Sequence, residues 1–106
     1  MTTIRPGAEP ITLINVFTVD PENQQALIDA LIEMTDATLR HLPGFVSANF
    51  HKSLDGTRVA NYAQWETKEH FDAILAMPEV LELFRSVEKL GTAHPFLYEV
   101  VSTHES

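Results

Sequence analysis

A chain of 106 residues is long enough to bury one hydrophobic core and too short for two domains. Its formal net charge of −8 argues against nucleic acid and anionic membranes as partners, since both attract basic surfaces. The absence of cysteine excludes disulfides, thiolate catalysis and thiolate metal sites. No apolar run approaches a membrane span and the first ten residues lack the apolar stretch of a signal peptide, so we expect a cytoplasmic protein.

The beginning of the chain predicts an arm, a strand and a helix. Residues 1–10 contain two prolines and a glycine, which is typical of a flexible arm. Ile11–Val19 is β-branched and apolar and predicts the first strand. Asp20 and Pro21 then predict a helix start, with the aspartate as N-cap and the proline at the first helical position. Apolar residues at three- and four-residue spacing continue this helix to the "LPG" segment at 42–44.

The rest of the chain predicts three strands and two helices. Strands are expected over 45–53, 58–66 and Pro95–Val101, and helices from Thr67 to Ala76 and from Pro78 to a stop at Gly91. The order βαββαβ is the split βαβ pattern. The sequence therefore predicts an α+β, ferredoxin-like fold with an antiparallel sheet over residues 11–101, followed by a tail at 102–106.

The first strand is apolar on both faces. Leu13 and Phe17 point one way, while Ile14 and Val16 point the other. Helices cover only one face of such a sheet, so the second face needs another cover. We expect a homodimer joined through its sheet faces. The alternative is that long side chains and the N-terminal arm shield this face.

The hairpin between the second and third strands allows a register to be predicted. A two-residue loop at Asp55 and Gly56 would place Phe50 opposite Asn61 and Val46 opposite Trp65. One face then holds Val46, Ala48, Phe50, Val59, Asn61, Ala63 and Trp65, and the other holds Ser47, Asn49, His51, Ala60, Tyr62 and Gln64. The first set is mostly apolar and is expected under the helices, with the second on the dimer side. A one-residue bulge would exchange these assignments.

Asn61 is the polar exception on the apolar face. A buried amide must find a hydrogen bond, and the partner could be a backbone group, water or a ligand. A single tryptophan on a strand is more often a core residue than the wall of a binding site. From spacing alone, Asn61 and Trp65 could each be a core residue or a residue of a binding pocket.

The stretch "PGFVSANFHKSLDGTRVANYAQWETKEHFDAIL" resembles the antibiotic biosynthesis monooxygenase family of dimeric α+β barrels. Its "PGF", "DG", "NYAQW" and following "F" occur in the same order and at similar spacings, and the resemblance covers roughly residues 10–101. Members of aromatic polyketide pathways oxidise phenolic or anthrone-like rings to quinones with O₂, without metal, haem or flavin. Others oxidise quinols, and one branch degrades haem.

The resemblance implies roles for particular residues. Asn61 would hydrogen-bond the substrate oxygen, Trp65 would pack against the ring system, and Arg85 would stabilise developing negative charge. Phe50 and Phe71 would line the cavity. The best-understood polyketide members carry a tyrosine six residues after the tryptophan, so Phe71 removes a phenolic hydroxyl from any proton relay at this position.

The histidines indicate no metal site. None of the five stands at His-x-His or His-x-x-x-His spacing, so no metal is expected. His51 is expected at the interface or the mouth of the pocket. The haem-degrading branch needs a histidine in the last helix, where this chain has Arg85, and arginine stays protonated and cannot ligate iron.

The predicted function is therefore a cofactor-independent monooxygenase that converts a phenol, anthrone or quinol to a quinone, with a small aromatic substrate and O₂ as its partners. Two alternatives remain at this point. The first is a non-catalytic dimer that binds an aromatic metabolite, and the second, less favoured, is a haem-degrading enzyme. Ligand binding without turnover would separate the first alternative from the enzyme.

Overall fold

The computed structural model describes residues 10–106, in which four antiparallel strands form one sheet. The strands are β1 (Ile11–Val19), β2 (Phe45–Lys52), β3 (Arg58–Trp65) and β4 (Gly91–Tyr98), in the order β2-β3-β1-β4. The helices are α1 (Gln24–Ala37), α2 (Lys68–Leu75) and α3 (Pro78–Glu88). Two short 3₁₀ turns, Pro21–Asn23 and Leu39–His41, flank α1. This arrangement confirms the predicted ferredoxin-like α+β fold.

The central strand pair places the predicted apolar face under the helices. Leu13 lies opposite Ala63 and Phe17 opposite Val59, and all four side chains are buried. Leu27 and Leu31 of α1, Val80 and Val87 of α3 and Ile74 of α2 complete this core. Burial of their apolar surface, at about 25 cal/mol per Å², is the main stabilising contribution.

The register of the β2–β3 hairpin is confirmed over most of its length. Phe50 lies opposite Asn61, as predicted. A bulge between Phe45 and Ser47 shifts the far end, so that Phe45 rather than Val46 faces Trp65. The prediction that Val46 lies under the helices is therefore wrong, and its side chain is 43% exposed.

The loop of this hairpin is longer than the predicted two residues, because the strands end at Lys52 and resume at Arg58. Gly56 adopts φ +82°, and its N–H donates to the Ser53 carbonyl at 3.2 Å. The Asp55 carboxylate accepts from the hydroxyls of Thr57 and Ser53 and from the Thr57 N–H. These hydrogen bonds, that of the Thr57 hydroxyl first, lower the pKa of Asp55 to about 2.

Helix α1 differs from its predicted bounds at both ends. Asp20 and Pro21 do open a helical turn, but it is 3₁₀, and α1 itself begins at Gln24. The helix ends at Ala37, before the "LPG" segment. Gly44 in that segment adopts φ +88° and packs against the His70 ring, where an added Cβ would come within 2.4 Å of the ring. This glycine therefore serves a tight chain reversal rather than a helix stop.

The fourth strand was predicted four residues too late, over Pro95–Val101. Helix α3 ends at Glu88, three residues before the predicted stop at Gly91, and Gly91 is instead the first residue of β4. An added Cβ at Gly91 would approach Leu27 and the Thr18 carbonyl to 3.0 Å, so the start of β4 passes close to both. Pro95 lies inside the strand rather than at its start, opposite Asn15. A proline is tolerated here because β4 is an edge strand.

The second sheet face carries a mixed surface. Ile14 and Val16 of β1 are half-buried there, and Phe96, opposite Ile14, is 62% exposed. Gln64 donates to the Thr12 hydroxyl at 3.4 Å on the same face, and both residues are buried.

Most of the predicted arm at 1–10 lies outside the described residues. No helix in residues 10–106 is long and apolar enough to cross a membrane.

Candidate active site

A cavity of about 300 Å³ lies between the sheet and the three helices. Its lining is mostly apolar, with Leu13 and Phe17 from β1, Leu31 and Met34 from α1, and Phe84 from α3. Its volume is at the small end of the range for sites that enclose an organic ligand. The fold therefore leaves a space for a small apolar molecule at the centre of the domain.

Aromatic side chains form one end of this cavity. Trp65 is 3% exposed and packs edge-on against Phe45, with ring centroids 5.2 Å apart. Phe71 also packs against Trp65, with ring centroids 6.1 Å apart and the two ring planes tilted by 54°. Thr67 fixes the start of the helix that carries Phe71, since its hydroxyl accepts from the His70 N–H at 3.0 Å. This end of the cavity suits the face and edges of a flat ring.

Two asparagines face each other across the central strands at the floor of the cavity. Asn15 and Asn61 are direct cross-strand partners, and both line the cavity. The Asn61 Oδ1 is buried and has no hydrogen-bond partner within residues 10–106. Such an unpaired carbonyl costs about 1–3 kcal/mol unless a ligand or water donates to it. The floor therefore offers a hydrogen-bond acceptor that the fold leaves unused.

Asn15 has a fixed orientation. Its Oδ1 accepts from the backbone N–H of His94 at 3.1 Å, which leaves its Nδ2 as the group free to donate elsewhere. The two amides thus present complementary capacities, an acceptor on Asn61 and a donor on Asn15. A hydroxyl group, which both donates and accepts, matches this pair.

The structure brings together four of the six residues predicted for the site. Phe50, Asn61, Trp65 and Phe71 all line the cavity.

Arg85 and His51 do not lie with these four. The Arg85 side chain is 73% exposed and contacts Glu82 at 3.5 Å, because it projects from α3 away from the cavity. The expected contribution of Arg85 to the site is therefore not supported by its position. His51 is exposed on β2 opposite Ala60, on the second sheet face, so it does not reach the cavity mouth.

Three polar residues of the lining were missed from the sequence. They are Asn15, the buried Thr35 of α1 and Glu88 at the end of α3. Asn15 could have been found, because it shares the alternation of Leu13 and Phe17 in an otherwise apolar strand. Thr35 and Glu88 gave no local signal, since both stand in ordinary amphipathic helices.

The fold and the cavity together define a ferredoxin-like α+β protein built around an internal, mostly apolar cavity. The model of the antibiotic biosynthesis monooxygenase family matches residues 10–86, and the chain belongs to this family. The resemblance seen in the sequence is thereby confirmed. Within the residues that the structure describes, no group of three or more His, Cys, Asp or Glu side chains could hold a metal ion.

Several relatives have a named activity. The chain is 44% identical over 100 residues to tetracenomycin-F1 monooxygenase of Streptomyces glaucescens, covering 94% of this chain and 89% of that one. A monooxygenase from the gene ActVA-Orf6 of Streptomyces coelicolor, solved with the ligand nanaomycin D, superimposes with a TM-score of 0.83 at 29% identity over 92% of each chain. SnoaB of Streptomyces nogalater, a cofactor-independent oxygenase, gives 0.76 at 26% identity, covering 91% of this chain and 97% of that one.

Proposed function

We propose that this protein is a cofactor-independent monooxygenase that uses O₂ to oxidise a phenol-, anthrone- or quinol-type substrate to a quinone. The observation that carries the proposal is the buried, unpaired Asn61 Oδ1 in a cavity walled by Trp65 and Phe71. The family membership and the named activities of three relatives support the same reaction class.

Binding follows from the shape and polarity of the cavity. A flat ring system packs against Trp65, and a ring hydroxyl reaches the floor, where it donates to Asn61 Oδ1 and accepts from Asn15 Nδ2. The apolar lining excludes water, which strengthens these hydrogen bonds and protects reactive intermediates from hydrolysis. The substrate oxygen is thus held where charge develops during the reaction.

The chemistry needs no bound redox group. Loss of a proton from the ring hydroxyl or the anthrone carbon gives an electron-rich anion, which transfers an electron to O₂. With an anthrone or phenol, recombination of the two radicals at a ring carbon that bears hydrogen, with uptake of one proton, forms a hydroperoxide, and loss of water from it leaves the quinone. A quinol instead passes a second electron and its second proton to superoxide, which takes up the first proton and leaves as H₂O₂. The protein contributes an oriented substrate, a hydrogen bond from Asn15 Nδ2 to the developing oxyanion and a route for the proton. A tyrosine at position 71 would offer its hydroxyl to that proton route, whereas Phe71 has no hydroxyl to offer.

The proposal keeps the homodimer and the cytoplasmic location expected from the sequence. Phe96 and the half-buried Ile14 support a partner on the second sheet face, since exposed apolar side chains gathered on one face mark an interaction surface. Fractionation of the native host would test the location. Arg85 and His51 have no role in the proposed site.

The direct test is turnover of the pure protein. Anthrones and hydroquinones are incubated with O₂, and quinone absorbance and O₂ uptake are followed together. The proposal expects one O₂ consumed per quinone formed from an anthrone, without added metal or flavin. Rates equal to the buffer control across a panel of such compounds would refute it. Tight binding without turnover would instead favour the non-catalytic binding module, and a Soret shift with haem consumption would favour the haem-degrading alternative.

A further inference from the structure

Among residues 10–106, Glu88 is the only ionisable side chain that lines the cavity. It is the last residue of α3 and is exposed, so it stands at the rim rather than at the floor. The other polar groups of the lining are the amides of Asn15 and Asn61 and the hydroxyl of Thr35. Amides and aliphatic hydroxyls donate and accept hydrogen bonds but do not take up a proton near neutral pH.

Glu88 also lines a second space, a polar surface groove of about 450 Å³. The charged residues that share this groove are Asp20, before the 3₁₀ turn, Arg58 on β3 and Lys89, directly after α3. Glu88 is the residue common to the two linings. Its carboxylate therefore stands between an apolar chamber and a polar surface.

The proposed reaction needs a group in this position. A proton must leave the substrate before an electron passes to O₂, and the apolar lining gives it no other ionisable acceptor. Phe71 offers no hydroxyl, and Arg85 stays protonated and projects away. A carboxylate at the rim can accept the proton and lose it to the surface, so the charge of the base itself stays outside the apolar cavity.

We propose that Glu88 is the proton acceptor of this enzyme and returns the proton to solvent through the polar groove. This inference rests on the proposed monooxygenase function. In the step itself, the O–H or C–H bond at the rim end of the ring system breaks, opposite the hydroxyl held at the floor. Its electron pair stays on the substrate, and a new O–H bond forms on the Glu88 carboxyl. The carboxyl then loses this proton to water in the groove. The peroxide anion takes one proton back from solvent when it becomes the hydroperoxide, so a turnover that releases water releases no net proton.

The test compares Glu88→Gln with the matched control Glu79→Gln. Glu79 is exposed in the first turn of the same helix and lines neither space. Glu88→Gln should lower kcat by about 10²-fold, with KM within about twofold, since a positioned base contributes about 10²–10⁴-fold. Glu79→Gln should keep the wild-type rate. A wild-type rate in Glu88→Gln would overturn the proposal.

Chemical rescue separates a missing proton acceptor from structural damage. Acetate should restore part of the turnover of Glu88→Ala, and chloride at the same ionic strength should not. Failure of acetate to restore turnover, together with a lowered Tm, would assign Glu88 a structural role and overturn the proposal.

A measurement without turnover keeps this inference separate from the proposed function. A nitrophenol indicator is bound to each protein at fixed pH, and its ionised fraction is read from the absorbance. Removal of the Glu88 charge should raise the ionised fraction in Glu88→Gln, because a carboxylate near a phenol disfavours the phenolate. An equal ionised fraction in Glu88→Gln and wild type would overturn the proposal. If the indicator binds but no phenol or anthrone is oxidised, the monooxygenase function fails, while the indicator result still decides whether Glu88 faces the bound phenol.

Discussion

Replacing Asn61 with alanine should separate activity from stability. The substitution removes a buried carbonyl that has no protein partner, and leaving such a group unpaired costs about 1–3 kcal/mol. Loss of the side chain's packing contacts offsets part of this gain. The free energy of unfolding of the ligand-free protein should therefore stay level or rise by about 1 kcal/mol, which for a domain of this size raises Tm by about 4 °C.

Activity should change in the opposite direction. If Asn61 holds and orients the substrate hydroxyl, Asn61→Ala should lower kcat by about 10²-fold, because a misplaced substrate can cost a reaction about this much. The matched control is Gln64→Ala on the same strand, since this buried amide is hydrogen-bonded to the Thr12 hydroxyl. Gln64→Ala should lower Tm by several degrees and keep the activity per folded molecule.

The assay is thermal unfolding and quinone formation measured on the same preparations. A fall in Tm for Asn61→Ala as large as that for Gln64→Ala, with unchanged specific activity, would refute the reasoning. It would mean that Asn61 is a satisfied core amide and that the floor of the cavity is not a binding site.

Further outcomes are expected elsewhere in the chain. Trp65→Phe should slow turnover and lower Tm by a few degrees, because it shortens the aromatic wall and leaves a void beside Phe45, and paired kinetics and calorimetry would check both. Gly44→Ala should destabilise by about 2 kcal/mol or more in denaturant titrations, since its φ is positive and the added Cβ meets a histidine ring. The pKa of Asp55 is lowered from 3.8 to about 2 on folding, so its stabilisation is present above pH 3.8 and lost as pH falls through about 2. The free energy of unfolding of Asp55→Asn should therefore fall less than that of wild type as the pH is lowered through this range. Sedimentation at micromolar concentration should show a dimer, and Ile14→Glu should give a monomer of about 12 kDa; a monomeric wild-type protein would contradict the sheet-to-sheet interface.

The sequence predicted the fold class because its periodicities are strong and local. Strand β1 is a continuous β-branched run, and the start of α2 at Thr67 is confirmed by its capping hydrogen bond. The fourth strand was misplaced because Gly91 and Pro95 are ordinary break signals. Their tolerance here depends on contacts with Leu27 and on the edge position of β4, which no local window contains.

The candidate site was predicted where one strand carries it and missed where several elements meet. Asn61 was recognised as a polar exception within β3, but its partner Asn15 comes from β1, 46 positions away along the chain. The bulge at Val46 could not be located from the hairpin sequence, and it decides which residue faces Trp65. Arg85 was assigned by position in a resemblance, whereas the direction of its side chain depends on the rotation of α3 about its axis.

The hydrogen bond between Asn15 and the His94 backbone has a consequence for how remote changes reach the cavity. The donor belongs to the outermost strand, while the acceptor belongs to the floor of the cavity. A displacement of β4 would release the Asn15 carbonyl, and the amide could then turn and present oxygen where it now presents nitrogen. The floor would then hold two acceptors and repel an oxyanion instead of stabilising it. The position of the edge strand β4 therefore decides whether the cavity floor presents a donor or an acceptor at Asn15. Substitutions on β4 that never touch a ligand can then change whether the floor favours the neutral or the ionised form of a bound phenol.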